Sequence, residues 1–344
     1  MNKRDLLAQW LANETLEKIP LGFWFHFAQD ELTDGFTEDG IINKTIIEKN
    51  IEGHKKFFND FQPDMIKIMT DGFFIYPNRE FREAQTPEDL WKVKPIGENH
   101  PWIEEQASYA KTLAGLFGKE IMLFYNIFSP ATTFKFVRLG NKEFLSRNIN
   151  PDTLLAQLLV KDKEAVLHAL NTAAQDLAYL ASRIVQAGAD GVYLSAQNIS
   201  DTRIDGKLHS YALFPGDCRI LETAKSARNN GGVFNILHIC GYSGHTNNFE
   251  DFVDYPADIF NWAAVFENLP LGKGKKLFKG KPVIGGFDNT TDGLLYKGSR
   301  EEIQTETKRI LAEAGRKGIA LGADCTLPRD IDIKRLMWIR EACA

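Results

Sequence analysis

At 344 residues the chain is long enough for one large domain or two average ones, and it can bury a sizeable core. Its 44% hydrophobic and 25% charged residues are ordinary for a water-soluble globular protein, and a net charge of -5 gives no reason to expect nucleic acid as a partner. No apolar run approaches the ~20 residues that cross a bilayer, so no membrane partner is expected.

In chain order, the polar start Met1-Asn-Lys-Arg-Asp5 is no secretory signal, and a helical extension is expected ahead of the first strand. Strands are predicted at Leu21 to Phe27, Asp64 to Met69, Ile121 to Ile127, Gly191 to Ser195, Phe234 to Cys240, Ile259 to Trp262, Pro282 to Phe287 and Ile319 to Gly322. Helices are predicted between them at Asn43 to Phe61, Pro101 to Phe117, Pro151 to Ala187, Asp217 to Asn230 and Arg300 to Gly315, with a last one at Ile331 to Ala342. Pro151-Asp-Thr supplies a start signal, and Ala187-Gly188 and Ala314-Gly315 supply stop signals. The basic, Gly-rich stretch Leu271 to Lys281 reads as a solvated mobile loop, with a lysine rim for an anionic substrate as the alternative. Eight strands alternating with helices favour an α/β architecture of the (β/α)8 TIM barrel type, taken as a single domain over residues 1–344. Chemistry in such a barrel gathers in the loops after the strands' C-terminal ends.

The cysteines show no disulfide framework, which together with the absent signal leads to the expectation of a reducing cytoplasm. Two of them close strand-like runs: Cys240 in Phe234-Asn-Ile-Leu-His-Ile-Cys240 and Cys325 in Ile319-Ala-Leu-Gly-Ala-Asp-Cys325. Residues two apart on a strand share a side, so His238 and Cys240 are aimed at one point, and Cys325 emerges at the same end of the sheet. An imidazole and two thiolates suit Zn²⁺ rather than Mg²⁺ or Ca²⁺, and three protein ligands leave a fourth position open, as in catalytic zinc sites. The plain alternative is two buried cysteines acting as small hydrophobes beside a hydrogen-bonded histidine.

The order and spacing of Pro63-Asp-Met-Ile-Lys-Ile-Met-Thr-Asp-Gly72, Asn126-Ile-Phe-Ser-Pro-Ala-Thr-Thr133, Ala187-Gly-Ala-Asp-Gly-Val-Tyr-Leu194, His238-Ile-Cys-Gly241, Gly285-Gly-Phe-Asp288 and Leu321-Gly-Ala-Asp-Cys325 are familiar. Over nearly its whole length the chain resembles the uroporphyrinogen decarboxylase superfamily, barrels that include methyl-corrinoid:thiol methyltransferases such as those that methylate coenzyme M. Porphyrinogen decarboxylases carry an arginine-rich segment after the first strand, where this chain has Leu21-Gly-Phe-Trp-Phe-His-Phe27. Phe136 stands where they carry a Tyr, and Gly322-Ala-Asp-Cys325 where they carry Gly-His-Gly. Asp71 matches their central aspartate, which binds pyrrole NH groups. The methyltransferase branch is marked by a His-x-Cys and a distant Cys that bind zinc, so the resemblance implies His238, Cys240 and Cys325 as ligands of Zn²⁺ and as catalytic residues together with Asp71. It also implies a small-molecule thiol substrate and a methylated corrinoid as donor. The chain lacks an Asp-x-His-x-x-Gly corrinoid signature, so the corrinoid is expected on a separate partner protein. Family members are often dimers, which extends the resemblance to a homodimer with no interface marked in the sequence.

Further candidates line the predicted barrel mouth. Trp24 and His26 share one side of the first strand, where barrel filling competes with a substrate-facing role. Asp71 precedes Gly72, so a turn or cap competes with a polar anchor. Gln197 and Asn198 are candidate oxygen ligands or substrate contacts, Asp288 is expected to reach the mouth, and His245 and Asn247 are candidates for support around the metal. Asp324 is expected to face away or cap the following helix. Two readings compete with the methyltransferase: a metal-independent decarboxylase of uroporphyrinogen or a related polycarboxylate, as in porphyrin biosynthesis, and a non-catalytic binding protein that holds zinc.

Overall fold

Leu21 and Asp64 close a barrel. The computed structural model describes residues 2–28, 30, 35–37, 40–139, 150–197, 201–229, 231–241 and 246–343. Its eight strands, all parallel, are β1 (Leu21–Gly22), β2 (Met65–Ile68), β3 (Met122–Phe128), β4 (Gly191–Ala196), β5 (Ile236–Ile239), β6 (Ile259–Trp262), β7 (Val283–Phe287) and β8 (Ile319–Ala323). They lie in the order β1-β8-β7-β6-β5-β4-β3-β2. The seam between β1 and β2 is bridged by Asp64: its N–H donates to the Leu21 carbonyl at 3.2 Å, and its Oδ2 accepts from the Leu21 N–H at 2.9 Å. The expected (β/α)8 TIM barrel is therefore the observed architecture. Nearly every strand residue is buried, as a parallel sheet covered by helices requires.

The helical extension is present as Lys3–Leu11, with Leu6, Leu7 and Trp10 buried against the core. Arg4 fixes it to the N-terminal end of the strands, donating to the carbonyls of Gly118 and Ile121 at 2.8 Å each and pairing with Asp190 at 2.5 Å. Asp190 in turn accepts from the Leu123 N–H at 2.9 Å. This end of the barrel is covered, which leaves the C-terminal ends of the strands as the open face.

Three expectations change. The first strand spans only Leu21–Gly22, and Phe25 rejoins the sheet through a single bridge to Leu327. The long helix predicted from Pro151 to Ala187 is two helices, Pro151–Lys161 and Lys163–Gln186. Asp162 breaks them apart because its carboxylate caps the second, accepting from Glu164 N at 3.1 Å and Ala165 N at 3.0 Å. The basic segment is no free loop: Leu271–Leu277 is a helix. It is held by Phe278, stacked on Phe260 at 4.2 Å, and by the close approach of Gly274 to Trp262, where a Cβ would fall 2.1 Å from the indole. Lys275 donates to Asn13 Oδ1 at 2.5 Å and Lys281 to the Ala257 carbonyl at 2.6 Å. Both of those lysines are thus engaged at the covered end of the barrel, away from its mouth. Among the described residues no helix is long and apolar enough to cross a membrane.

Candidate metal centre

His238 lies on β5 and Cys240 just beyond it, where the Cys240 N–H continues the ladder by donating to the Ala196 carbonyl at 2.8 Å. Cys325 follows β8. The structure brings the three together: one donor atom from each lies within 4.8 Å of the others, and among the described residues this is the only group of three or more His, Cys, Asp or Glu side chains placed to hold an ion. The other cysteines, Cys218 and Cys343, are buried thiols pushed up to about 12 by desolvation, as expected of structural positions.

The orientation of His238 is set by a residue the sequence reading passed over. Asn261, on β6, accepts at Oδ1 from His238 Nδ1 at 2.5 Å and from the Tyr193 hydroxyl at 2.6 Å. Its amide group donates to the Ile284 carbonyl at 2.8 Å, which fixes the oxygen toward the histidine. Nδ1 therefore carries the proton and Nε2 the free lone pair, the arrangement that metal-binding histidines need. His238 Nε2 is buried and has no hydrogen-bond partner. A buried lone pair with no partner, facing two thiols, is costly and is relieved by a cation that accepts nitrogen and sulfur, so the residues fit Zn²⁺.

The electrostatics agree with the donor set. The Cys240 thiol, hydrogen-bonded to the Cys325 sulfur, draws the Cys325 thiol well below its ordinary range against the opposing effect of burial. His238 and the Lys67 charge add to that pull. Lys67 rises from the middle of β2 into the barrel, its Nζ 4.2 Å from the centre of the Tyr193 ring and 5.7 Å from that of Trp24. Tyr193 stacks on His238 at 5.3 Å and meets Trp24 edge-on at 5.2 Å. β2 and β4 are separated by β3, and β4 and β6 by β5, so these contacts cross the interior. Lys67, Tyr193, His238 and Asn261 form one polar layer there.

The remaining candidates divide. Trp24 is buried as barrel filling predicts, yet its Nε1–H has no acceptor. His26 and Asp71 form a pair, Nδ1 to Oδ1 at 2.8 Å, while Asp71 Oδ2 accepts from the N–H groups of Phe27 at 2.6 Å and Ala28 at 3.1 Å. Three donors thus occupy Asp71, whose role here is to shape the β1 loop and aim His26, a third of whose side chain is exposed. Gln197 does reach the mouth, but its carbonyl oxygen accepts from Lys135 Nζ at 2.5 Å, and Lys135 pairs with Asp152 at 3.0 Å, so it is not a free oxygen ligand. Asp288 turns into its own loop, where its carboxylate accepts from Thr290 N at 2.7 Å. Asn247 lies against the Cys240 backbone, donating to the Cys240 carbonyl at 2.9 Å and to Glu267 Oε1 at 2.6 Å. Asp324 faces away from the thiols but does not cap the following helix: its Oδ2 holds the turn after β6 by accepting from Val265 N at 2.9 Å and Phe266 N at 3.1 Å, and burial raises it to about 7. Phe136 packs among Phe128 and Phe74, at 4.8 and 6.1 Å. Asn198 and His245 lie outside the described residues.

Asp71 carries a pH signature. Burial acts to raise its pKa, but the hydrogen bond and charge of His26 and the two N–H donors outweigh it and hold the carboxyl below its ordinary 3.8. The folded state therefore takes up the proton less readily than the unfolded chain. Its stabilisation is present above pH 3.8 and is lost as pH falls through the lower folded value. Urea unfolding followed down to about pH 3 is expected to show this decline in the wild type and a shallower one in Asp71→Asn. Parallel declines would contradict it.

A family model described as Uroporphyrinogen decarboxylase (URO-D) matches residues 77–344. No curated protein sequence matches the chain. Among solved structures, a methyltransferase from Methanosarcina mazei superposes with a TM-score of 0.72 at 14% identity, covering 100% of this chain and 98% of that one. A B12-independent methionine synthase from Shewanella sp. W3-18-1, in complex with selenomethionine, superposes with a TM-score of 0.53 at 12% identity, covering 95% and 96%. At such identities these neighbours speak for the barrel alone, whereas the family model takes in the triad, its supporting asparagines and six of the eight strands. The chain belongs to the uroporphyrinogen decarboxylase family.

Proposed function

We propose that this protein is a zinc-dependent methyltransferase that moves a methyl group from a corrinoid, carried by a partner protein, to a small-molecule thiol. The observation that carries this reading is the convergence of His238 Nε2, unpartnered and oriented by Asn261, with the sulfurs of Cys240 and Cys325. Bound by these three residues, zinc supplies a Lewis acid that lowers the pKa of a thiol and keeps it as the nucleophilic thiolate. Asn261 holds the imidazole in the binding tautomer, and Asn247 fixes the Cys240 backbone.

The decarboxylase reading fares worse on one specific point. Asp71 would have to grip pyrrole NH groups, but His26, Phe27 and Ala28 already donate to it. The first-strand stretch also offers no arginine for a polycarboxylate.

The test is turnover with methylcobalamin and 2-mercaptoethanol as probes. Sulfur forms its bond to the methyl carbon as the cobalt–carbon bond breaks, the electron pair stays on cobalt and the thiol proton passes to solvent. The expected result is cobalt–carbon cleavage that disappears on zinc removal and returns when zinc is restored. Cleavage indifferent to chelation, or no methyl transfer alongside metal-free decarboxylation of uroporphyrinogen, would overturn the proposal. Unfolding on zinc removal with no turnover in the loaded protein would favour the zinc-holding binding protein instead.

A further inference from the structure

Two donors in the barrel interior are left without acceptors. Lys67 is 6% exposed and, among the described residues, its ammonium has neither a hydrogen bond nor an ion pair; the rings of Tyr193 and Trp24 are its packing partners. Trp24 is 3% exposed, and its Nε1–H is buried without an acceptor. Both side chains meet on the Tyr193 ring, whose other neighbour is His238. An indole N–H buried without an acceptor costs free energy, and an ammonium held against two aromatic faces with no hydrogen-bond acceptor is compensated only in part.

The charges around Lys67 narrow what answers these donors. Burial acts to lower the Lys67 pKa, and the anionic groups that oppose it and favour the ammonium are Cys325, Cys240 and Asp71. Asp71 is engaged by His26 and two backbone N–H groups. Two thiolates and a neutral imidazole balance a divalent cation, so with the triad loaded Asp71 is the one anion of the three left to act on Lys67, which then stands beside an open ligand position.

We propose that Lys67 and Trp24 form an anion-recognising subsite next to the metal triad, which selects a substrate carrying negative charge. This rests on the metal reading above and deepens it by naming the substrate's charge. The charge recognised is either that of the thiolate sulfur or that of an acidic group on the same molecule.

Cobalt-substituted protein allows binding to be read by visible absorption without turnover. The probes are 2-mercaptoethanol, charged only at sulfur, and 3-mercaptopropionate, charged also at its carboxylate. Lys67→Met is expected to retain cobalt as the wild type does while weakening one or both thiols roughly tenfold to a hundredfold, the value of a hydrogen bond to a charged group. Equal weakening of both assigns the subsite to the sulfur, and selective weakening of 3-mercaptopropionate assigns it to the acidic group. Lys67→Arg keeps the charge and is expected to restore most of the binding, and Trp24→Phe keeps the ring and is expected to give a smaller loss in the same direction. Unchanged affinity for both thiols in Lys67→Met would overturn the subsite while leaving the metal reading intact. Failure of the wild type to bind cobalt would overturn both.

Discussion

The Cys240→Ser/Cys325→Ser double variant is expected to purify folded but without metal, whereas the wild type carries about one zinc per chain. A hydroxyl is a far poorer ligand for Zn²⁺ than a thiolate, and His238 alone cannot hold the ion. The fold has no need of the thiols: Cys240 and Cys325 are only partly buried, and the strands before them are secured by their own ladders and by a continuous apolar core. Serine is close to cysteine in size, so no large cavity opens. Zinc content measured by elemental analysis, with circular dichroism as the control for folding, separates the outcomes. Loss of methyl transfer should accompany loss of metal. Full zinc retention by the double variant would place the ion elsewhere in the protein.

Replacing Asn261 by Leu is expected to have the next largest effect. Asn261 Oδ1 receives both the His238 Nδ1–H and the Tyr193 hydroxyl inside the barrel, and leucine leaves two buried donors unpaired. Each such orphan costs about 1–3 kcal/mol, so the urea midpoint should fall measurably. More telling is the metal. Without the acceptor the imidazole is no longer held with Nε2 toward the thiols, and loss of a partner of this kind weakens zinc binding by roughly 10- to 100-fold. Tyr193→Phe is the control: it removes one donor and keeps the His238–Asn261 bond, so it should leave zinc affinity close to that of the wild type. Competition with a chelator of known affinity reads both variants. Equal affinities in Asn261→Leu and wild type would show that the asparagine serves the barrel and not the metal.

Much of this was legible in the residues themselves. Apolar runs bounded by Gly, Pro or Asp marked all eight strands, and period-2 geometry brought His238 and Cys240 to one side of β5. Misreadings came where a tertiary contact overrode a local pattern. The Gly-rich stretch Leu271 to Lys281 is a helix because Gly274 fits against Trp262 and Phe278 stacks on Phe260, partners no local window contains. The helix predicted from Pro151 breaks at Asp162 because a side-chain cap outcompetes continuation. The supporting site residues were missed for a different reason. Lys67, Tyr193 and Asn261 are single polar positions inside apolar strands, and from sequence each resembles an ordinary interruption. Their shared signal is polarity where a parallel strand should be uniformly apolar, but only barrel closure shows that Tyr193 and Asn261 meet His238 and that Lys67 packs on the Tyr193 ring. Asp71 shows the converse, because its motif position marked an anchor while the structure spends its carboxylate on His26 and the chain of its own barrel.

The most direct measurement is anomalous X-ray scattering from crystals of the protein as purified, collected on either side of the zinc absorption edge. A single peak is expected within bonding reach of His238 Nε2 and the sulfurs of Cys240 and Cys325, present above the edge and absent below it. No peak at that position, or a disulfide joining Cys240 to Cys325 in reduced, freshly prepared protein, would contradict the metal centre on which the proposed chemistry depends.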